Sequence, residues 1–224
     1  MGFPRDRRPI IRNGGWFLGM VLLLAASTAA AGFAGHGRHR PAQESKPETP
    51  PVPRADGQPA GKVTLLADEA YLPAVLDLLG GAAASIDVTM FSCVLPEDAR
   101  AGHPVRRLLD RLVERAKAGV RVRVVLDRGV PQSRQIAGED APSAGGAAYL
   151  RAAGIDVRWD EDARTTHTKS LVVDGRRCVV GSTNWTASAL GKNREQSVLI
   201  DSPALAMDLT RRFEALWEIA QPVR

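Results

Sequence analysis

Cysteine is nearly absent from this chain: Cys93 and Cys178 are the only two among 224 residues. They can form one bridge at most, and each sits in an apolar, strand-like run. Neither belongs to a Cys-x-x-Cys pair or a Cys/His cluster. That pattern reads as two small buried hydrophobes and argues against a structural zinc site. Histidine is almost as scarce, with four in total. His36 and His39 fall in a Gly/Arg-rich stretch and His103 precedes a proline, so only His167 stands in a recognisable pattern. A multi-histidine metalloenzyme is therefore disfavoured, and no metal or organic cofactor is expected. Basic excess is also missing where a domain would need it. The formal net charge is +5, yet residues 1–60 hold 8 Lys+Arg against 4 Asp+Glu, while 61–224 hold 22 against 21. Composition alone does not vote for a nucleic-acid partner. An internal repeat is lacking too.

What is present divides the chain into three. Arg5, Arg7, Arg8 and Arg12 precede Gly14–Gly35, a stretch without a charge whose greasiest part is Trp16–Ala26, followed by small residues. A basic flank, a short apolar core and small residues read as a secretory signal peptide. The apolar length also suits an uncleaved membrane anchor with its charged end inside, and both readings stay open for 1–35. Either one places the remainder outside the cytoplasm, exported or membrane-attached through 14–35. Residues 36–61 are rich in Pro, Gly and Ala without apolar periodicity, a disordered linker. Residues 62–224 are long enough for one domain with a full core.

Within that domain strand and helix signals alternate. Strands are expected at 62–66, 85–91, 120–126, 155–159, 168–173, 177–180 and 195–200. Helices are expected at 72–84, 105–118, 147–153 and 204–219. Residues 129–146 read as a long loop with a functional role. Asp174-Gly175 between two apolar runs is a strong signal for a two-residue hairpin. An α/β domain with a mixed sheet follows, because the hairpin forces antiparallel pairs into a fold that otherwise alternates.

One stretch carries the chemistry. His167 and Lys169 are two residues apart, so an extended strand puts both side chains on one face. Gly181, Ser182 and Asn184 return soon after. Together they provide a nucleophile, a fixed positive charge and neutral hydrogen-bond donors, the parts of a phosphodiester cleavage that uses no metal. Imidazole is the side chain that can be neutral near physiological pH and attack phosphorus, which makes His167 the nucleophile candidate. Lys169 would hold the non-bridging phosphate oxygens. Each residue has a plainer alternative: a hydrogen-bonded strand histidine, a solvated lysine, and Ser182 and Asn184 as caps of a helix over 186–190. Asp174 has its own explanation in the hairpin, since Asp-Gly suits such a turn, and we read it as structural first and reactive second. Arg176 and Arg177 read as exposed turn charges. Trp159 and Trp185, flanking the motif, read as packing residues before base-stacking surfaces.

The order His-x-Lys-x4-Asp-x6-Gly-Ser-x-Asn over 167–184 resembles the signature of the phospholipase D superfamily at every fixed position. The likeness extends over most of 62–222, through Ser85–Phe91, Ala118–Asp127 and Leu150–Val157. It implies a phospholipase D-like mixed β-sheet flanked by helices. It also implies catalytic roles for His167, Lys169, Ser182, Asn184 and Asp174, with Glu195 as a carboxylate supporting the histidine. Many members carry two motifs; this chain carries one. Displacement through a phosphohistidine needs both a nucleophile and an acid for the leaving oxygen, so two chains are expected to meet about a twofold axis, each presenting His167 and Lys169. Resemblance to short, exported, single-motif bacterial members favours an endonuclease acting on DNA or RNA with salt-dependent binding. Phospholipid hydrolysis or head-group exchange is the alternative, and a non-catalytic dimeric binding module the third reading.

Overall fold

A computed structural model of the chain describes residues 61–129, 142–160 and 164–223. The charge-free stretch 14–35, nearly all of the linker and most of the 129–146 loop therefore lie outside the described residues. The elements in chain order are β1 (Lys62–Ala67), α1 (Tyr71–Gly80), β2 (Ser85–Met90), α2 (Pro104–Lys117), β3 (Arg121–Leu126), α3 (Ala144–Ala152), β4 (Asp156–Trp159), β5 (Lys169–Val173), β6 (Arg177–Gly181), β7 (Gln196–Asp201), α4 (Pro203–Ile219) and β8 (Gln221–Pro222). All eight strands join one sheet in the order β1-β7-β6-β5-β2-β3-β4-β8. β2, β3 and β4 run parallel, and every other neighbouring pair is antiparallel. This is the mixed α/β sheet that the alternating pattern implied.

Both faces of the sheet are covered. On one side Val75 and Leu79 of α1, Leu108 and Leu112 of α2 and Leu150 of α3 pack with Ile86, Val88, Val124, Leu171 and Val173. On the other, Phe213 and Trp217 of α4 cover Val125, while Ala206 covers Val172 and Cys178. The two-residue period of β5 explains the split, since Leu171 and Val173 face one layer and Val172 the other. α2 follows from its sequence directly. Pro104 occupies the first turn, where its missing N–H is harmless, and Val105, Leu108, Leu109 and Leu112 form one buried stripe. The helix ends before Gly119, whose φ of +89° a side chain would resist.

Three local expectations need correction. α1 stops at Gly80 instead of running to residue 84, although Ala82-Ala83-Ala84 favours helix. The amides of Ala83, Ala84 and Ser85 are instead taken by the carboxylate of Asp174, about 90 positions away in sequence. α3 begins at Ala144, inside the region read as loop. Its Gly145 and Gly146 permit close approach: a Cβ on Gly146 would come within 2.7 Å of Cys93 O, and one on Gly145 would overlap Leu95 O. Residues 186–190 form turns, with Ala189 N donating to Thr186 Oγ1 at 3.1 Å, so Ser182 and Asn184 have no helix to cap. The short β8 carries too little pattern to be read in advance. Cys93 and Cys178 are buried free thiols in different clusters, and burial pushes them up to about 12 and about 11. Among the described residues no helix is long and apolar enough to cross a membrane.

Candidate active site

Sheet topology gathers the motif at one end of the sheet. β5 runs antiparallel to β2 with Lys169 opposite Met90, and β6 and β7 pair Gly181 with Ser197. The start of β5, the end of β6 and the start of β7 are therefore neighbours, together with the carboxyl ends of β2, β3 and β4. His167 is exposed just before β5, and its imidazole packs against the Phe91 ring, centroids 4.4 Å apart. Lys169 is buried. Its ammonium donates to His167 O at 2.8 Å and lies 4.5 Å from the Phe91 ring centroid. Burial lowers the Lys169 pKa from its usual range, against the pull of Glu195 and Asp127. The nucleophile candidate and the cation are thus fixed to each other through main chain and to one aromatic plate.

Glu195 is buried at the head of β7, and it does not meet the imidazole. Its oxygens accept from Ser182 Oγ and from Asn193 Nδ2, the latter at 3.1 Å. Among the described residues no hydrogen bond joins Glu195 to His167, which corrects the contact expected from the resemblance. In the free chain Glu195 orients Ser182 and offsets the charge of Lys169. Ser182 is doubly held, because its Oγ also accepts from Gln196 N at 3.0 Å. Gly181 is needed for this arrangement, since a Cβ there would overlap Ser197. Asn184 lies beyond β6 with its Oδ1 buried and unpartnered.

Asp174 is at the other end of β5. Seven residues of extended chain place it roughly 20 Å from His167. Its φ is +54° and that of Gly175 is +58°, the two left-handed residues of a type I′ turn, closed by Arg176 N to Val173 O at 3.1 Å. Its carboxylate accepts from Ala84 N at 2.8 Å and Ser85 N at 2.9 Å, among others. Despite the opposing effect of burial, these backbone donors hold the Asp174 carboxyl below the usual range. Trp185 is fully buried and donates to Tyr71 O–H at 3.1 Å, which removes it from any base-stacking role. Arg176 pairs with Asp201 at 2.9 Å.

Sequence reasoning missed five participants. Phe91 supplies the plate under His167 and Lys169. Asn193 holds Glu195. Asp68, in the left-handed region at φ +49°, accepts from Glu195 N at 2.7 Å and returns its own N–H to Glu195 O at 3.0 Å. Asp127 and Asp160 flank the approach to His167. The available signal was an acidic residue immediately after each of two consecutive apolar strands. A cleft of about 440 Å³ opens beside Ser182 and Glu195, lined also by Ala67, Asp68, Arg194 and Gln196. Among the described residues no group of three or more His, Cys, Asp or Glu side chains is arranged to hold a metal ion.

A histidine and a lysine locked together beside a hydroxyl–carboxylate pair, on a mixed sheet, define a phosphodiester-cleaving type of site. The family model for the cardiolipin synthase, PLD-like domain matches residues 75–217, and the chain belongs to the phospholipase D superfamily of phosphodiester-cleaving enzymes. It is similar to mitochondrial cardiolipin hydrolase of Canis lupus familiaris, 31% identical over 171 residues, which make up 75% of this chain and 59% of that protein. The Xenopus laevis protein of the same name is 38% identical over 73 residues, 33% of this chain and 35% of its own length. The aligned part thus spans from about a third to three-fifths of these relatives. Among solved structures, Nuc from Salmonella typhimurium, a phospholipase D family member, superposes with a TM-score of 0.58 at 25% identity, over 73% of this chain and 99% of that one.

Proposed function

We propose that this protein is a metal-independent phosphodiesterase that cleaves nucleic acid at a site completed by a second copy of the chain. The observation that carries the reading is the fixed His167–Lys169 pair at the same sheet end as the Ser182–Glu195 pair. His167 attacks phosphorus and forms a phosphohistidine, while the leaving oxygen takes a proton from the His167 of the second copy. That second imidazole then activates water to release the product. Lys169, buried and largely desolvated, holds the non-bridging oxygens where its charge is least screened. The carboxamide N–H of Asn184 serves the same oxygens, and Ser182, whose hydroxyl donates to Glu195, keeps that carboxylate in place.

Nucleic acid is favoured as substrate because the neighbouring cleft is rimmed by the exposed Arg194, with Lys192 adjacent. The likeness over nearly the whole of Nuc, a bacterial phospholipase D family member, supports the same reading. A second reading, phospholipid hydrolysis, is favoured by the two relatives named cardiolipin hydrolase. One assay series separates them. The full chain, wild type beside His167→Ala, is given plasmid DNA, RNA and cardiolipin vesicles, each with chelator. Nicking or RNA cleavage that survives chelator and disappears in the variant is the expected outcome. Lipid turnover without nucleic-acid cleavage would transfer the proposal to the second reading. Absence of any His167-dependent turnover would leave a binding module.

A further inference from the structure

Asp127 and Asp160 each follow the last residue of a strand, and these two strands are parallel neighbours with Leu126 opposite Trp159. The register therefore brings the two carboxyls side by side at the active end of the sheet. Both are buried, each 3% exposed. They share a single donor: Thr166 N points to Asp127 Oδ2 at 2.7 Å and to Asp160 Oδ2 at 3.1 Å. The remaining oxygens accept backbone amides, Asp127 Oδ1 from Gly129 N at 2.6 Å and Asp160 Oδ1 from Arg128 N at 3.1 Å. Two buried carboxyls that converge on one N–H repel each other unless one of them carries a proton. Thr166 is the residue before His167.

We propose that Asp127 and Asp160 are positioning residues for His167, a carboxylate pair that shares one proton and clamps the Thr166 amide so that the imidazole is presented at a fixed place and angle. The inference rests on the reading of His167 as nucleophile. Three contacts then hold the short segment before β5: the pair on Thr166 N, Lys169 Nζ on His167 O, and Phe91 N on Thr168 O at 2.9 Å. The first of these can change with pH near neutrality. Burial, with the neighbouring Asp127, pushes the Asp160 carboxyl up to about 6. The other charged groups nearby are Lys169 on β5, which attracts Asp127, and Arg128, Arg164 and His167 on the adjoining loops. Once the shared proton leaves, two like charges face each other across one N–H and the clamp slackens.

The test uses the full chain with bis(4-nitrophenyl) phosphate, a phosphodiester that is neither nucleic acid nor lipid, and His167→Ala as control. Asp160→Ala should lower kcat by about tenfold to a hundredfold with KM little changed, the scale of a misplaced reacting group. Asp160→Asn keeps a permanent donor toward Asp127 and should retain clearly more turnover than Asp160→Ala. Its kcat relative to wild type should rise as pH passes upward through the range near 6. Equal kcat and identical pH profiles in all Asp160 variants would overturn the proposal while leaving the role of His167 intact. Loss of the His167 dependence itself would overturn the reading beneath it. A second measurement needs no activity. The Thr166 amide resonance should titrate near 6 in wild type and in His167→Ala, and cease to do so in Asp160→Asn. An amide that is flat in wild type, or follows only the imidazole, would sink the shared-proton pair.

Discussion

Asp174 belongs to the motif by spacing and to the turn by geometry. Its carboxylate caps three successive amides between α1 and β2 while its backbone occupies the left-handed region of the hairpin. Asp174→Ala should destabilise the protein by about 1–3 kcal/mol, the loss of charge-assisted bonds and the stranding of their donors, while folded variant retains its kcat. Thermal denaturation beside active-site-titrated turnover checks both halves. The sign of the pH effect follows from the lowered carboxyl: its stabilisation is present above the ordinary value of 3.8 and is lost as pH falls through the lower, folded value. Acidification should therefore narrow the gap in melting temperature between wild type and Asp174→Ala. Gly181→Ala should have the opposite profile, a loss of kcat together with stability, because a Cβ displaces Ser197 next to the Ser182–Glu195 pair. At this scale the reactive side chains were legible because their types and spacing are local. The partners of Glu195 were not, since strand register brings Ser182 to it and a strained Asp68 holds its backbone.

The elements show where local pattern and long-range contact disagree. β2 alternates Ile86, Val88, Met90 with Asp87 and Thr89, a pattern that by itself suggests one dry and one wet face. Both faces are dry. Asp87 accepts from Arg123 Nε on β3 at 2.9 Å, and the same guanidinium donates to Glu214 on α4 at 2.6 and 3.0 Å beneath Phe213 and Trp217. α4 is thus bolted to the sheet through one largely buried cation. Its two carboxylate partners raise the Arg123 pKa despite burial. Removing Asp87 strands the buried Arg123 Nε–H while Glu214 still pairs the charge, so Asp87→Ala should cost about 1–3 kcal/mol. Replacing the charges together, Asp87→Leu with Arg123→Met and Glu214→Leu, should be far less damaging than that single change implies. Chemical denaturation of the single and triple variants decides the matter. The same tension explains the helix ends. Alanines 82–84 lost their helix to a carboxylate far away in sequence, and Gly145-Gly146 entered a helix because Cys93 and Leu95 require close contact. Strand existence and order of elements were readable from periodicity; their boundaries depended on contacts no window of sequence contains.

At the scale of the whole molecule the decisive fact is a single His167–Lys169 set per chain, with Glu195 engaged by Ser182 and Asn193 and not by the imidazole. In the proposed mechanism, protonation of the leaving oxygen falls to the His167 of another copy. Subunit mixing tests this without any knowledge of the natural substrate. Wild type and His167→Ala, co-refolded in equal amounts, assort at random into homodimers and heterodimers. If each composite site needs both imidazoles, about a quarter of the dimers are competent, whereas independent sites would retain about half of the activity. Across a range of mixing ratios, activity should follow the square of the wild-type fraction. A linear dependence would show each chain acting alone and would require an acid from elsewhere in its own fold. Raising the salt concentration should weaken cleavage of a polyanion far more than that of bis(4-nitrophenyl) phosphate, since only an extended substrate releases many counterions from contacts such as Arg194 and Lys192. A square-law mixing curve with equal salt sensitivity for both substrates would keep the dimer and discard nucleic acid, because composite chemistry and polyanion binding are separate properties of the same face.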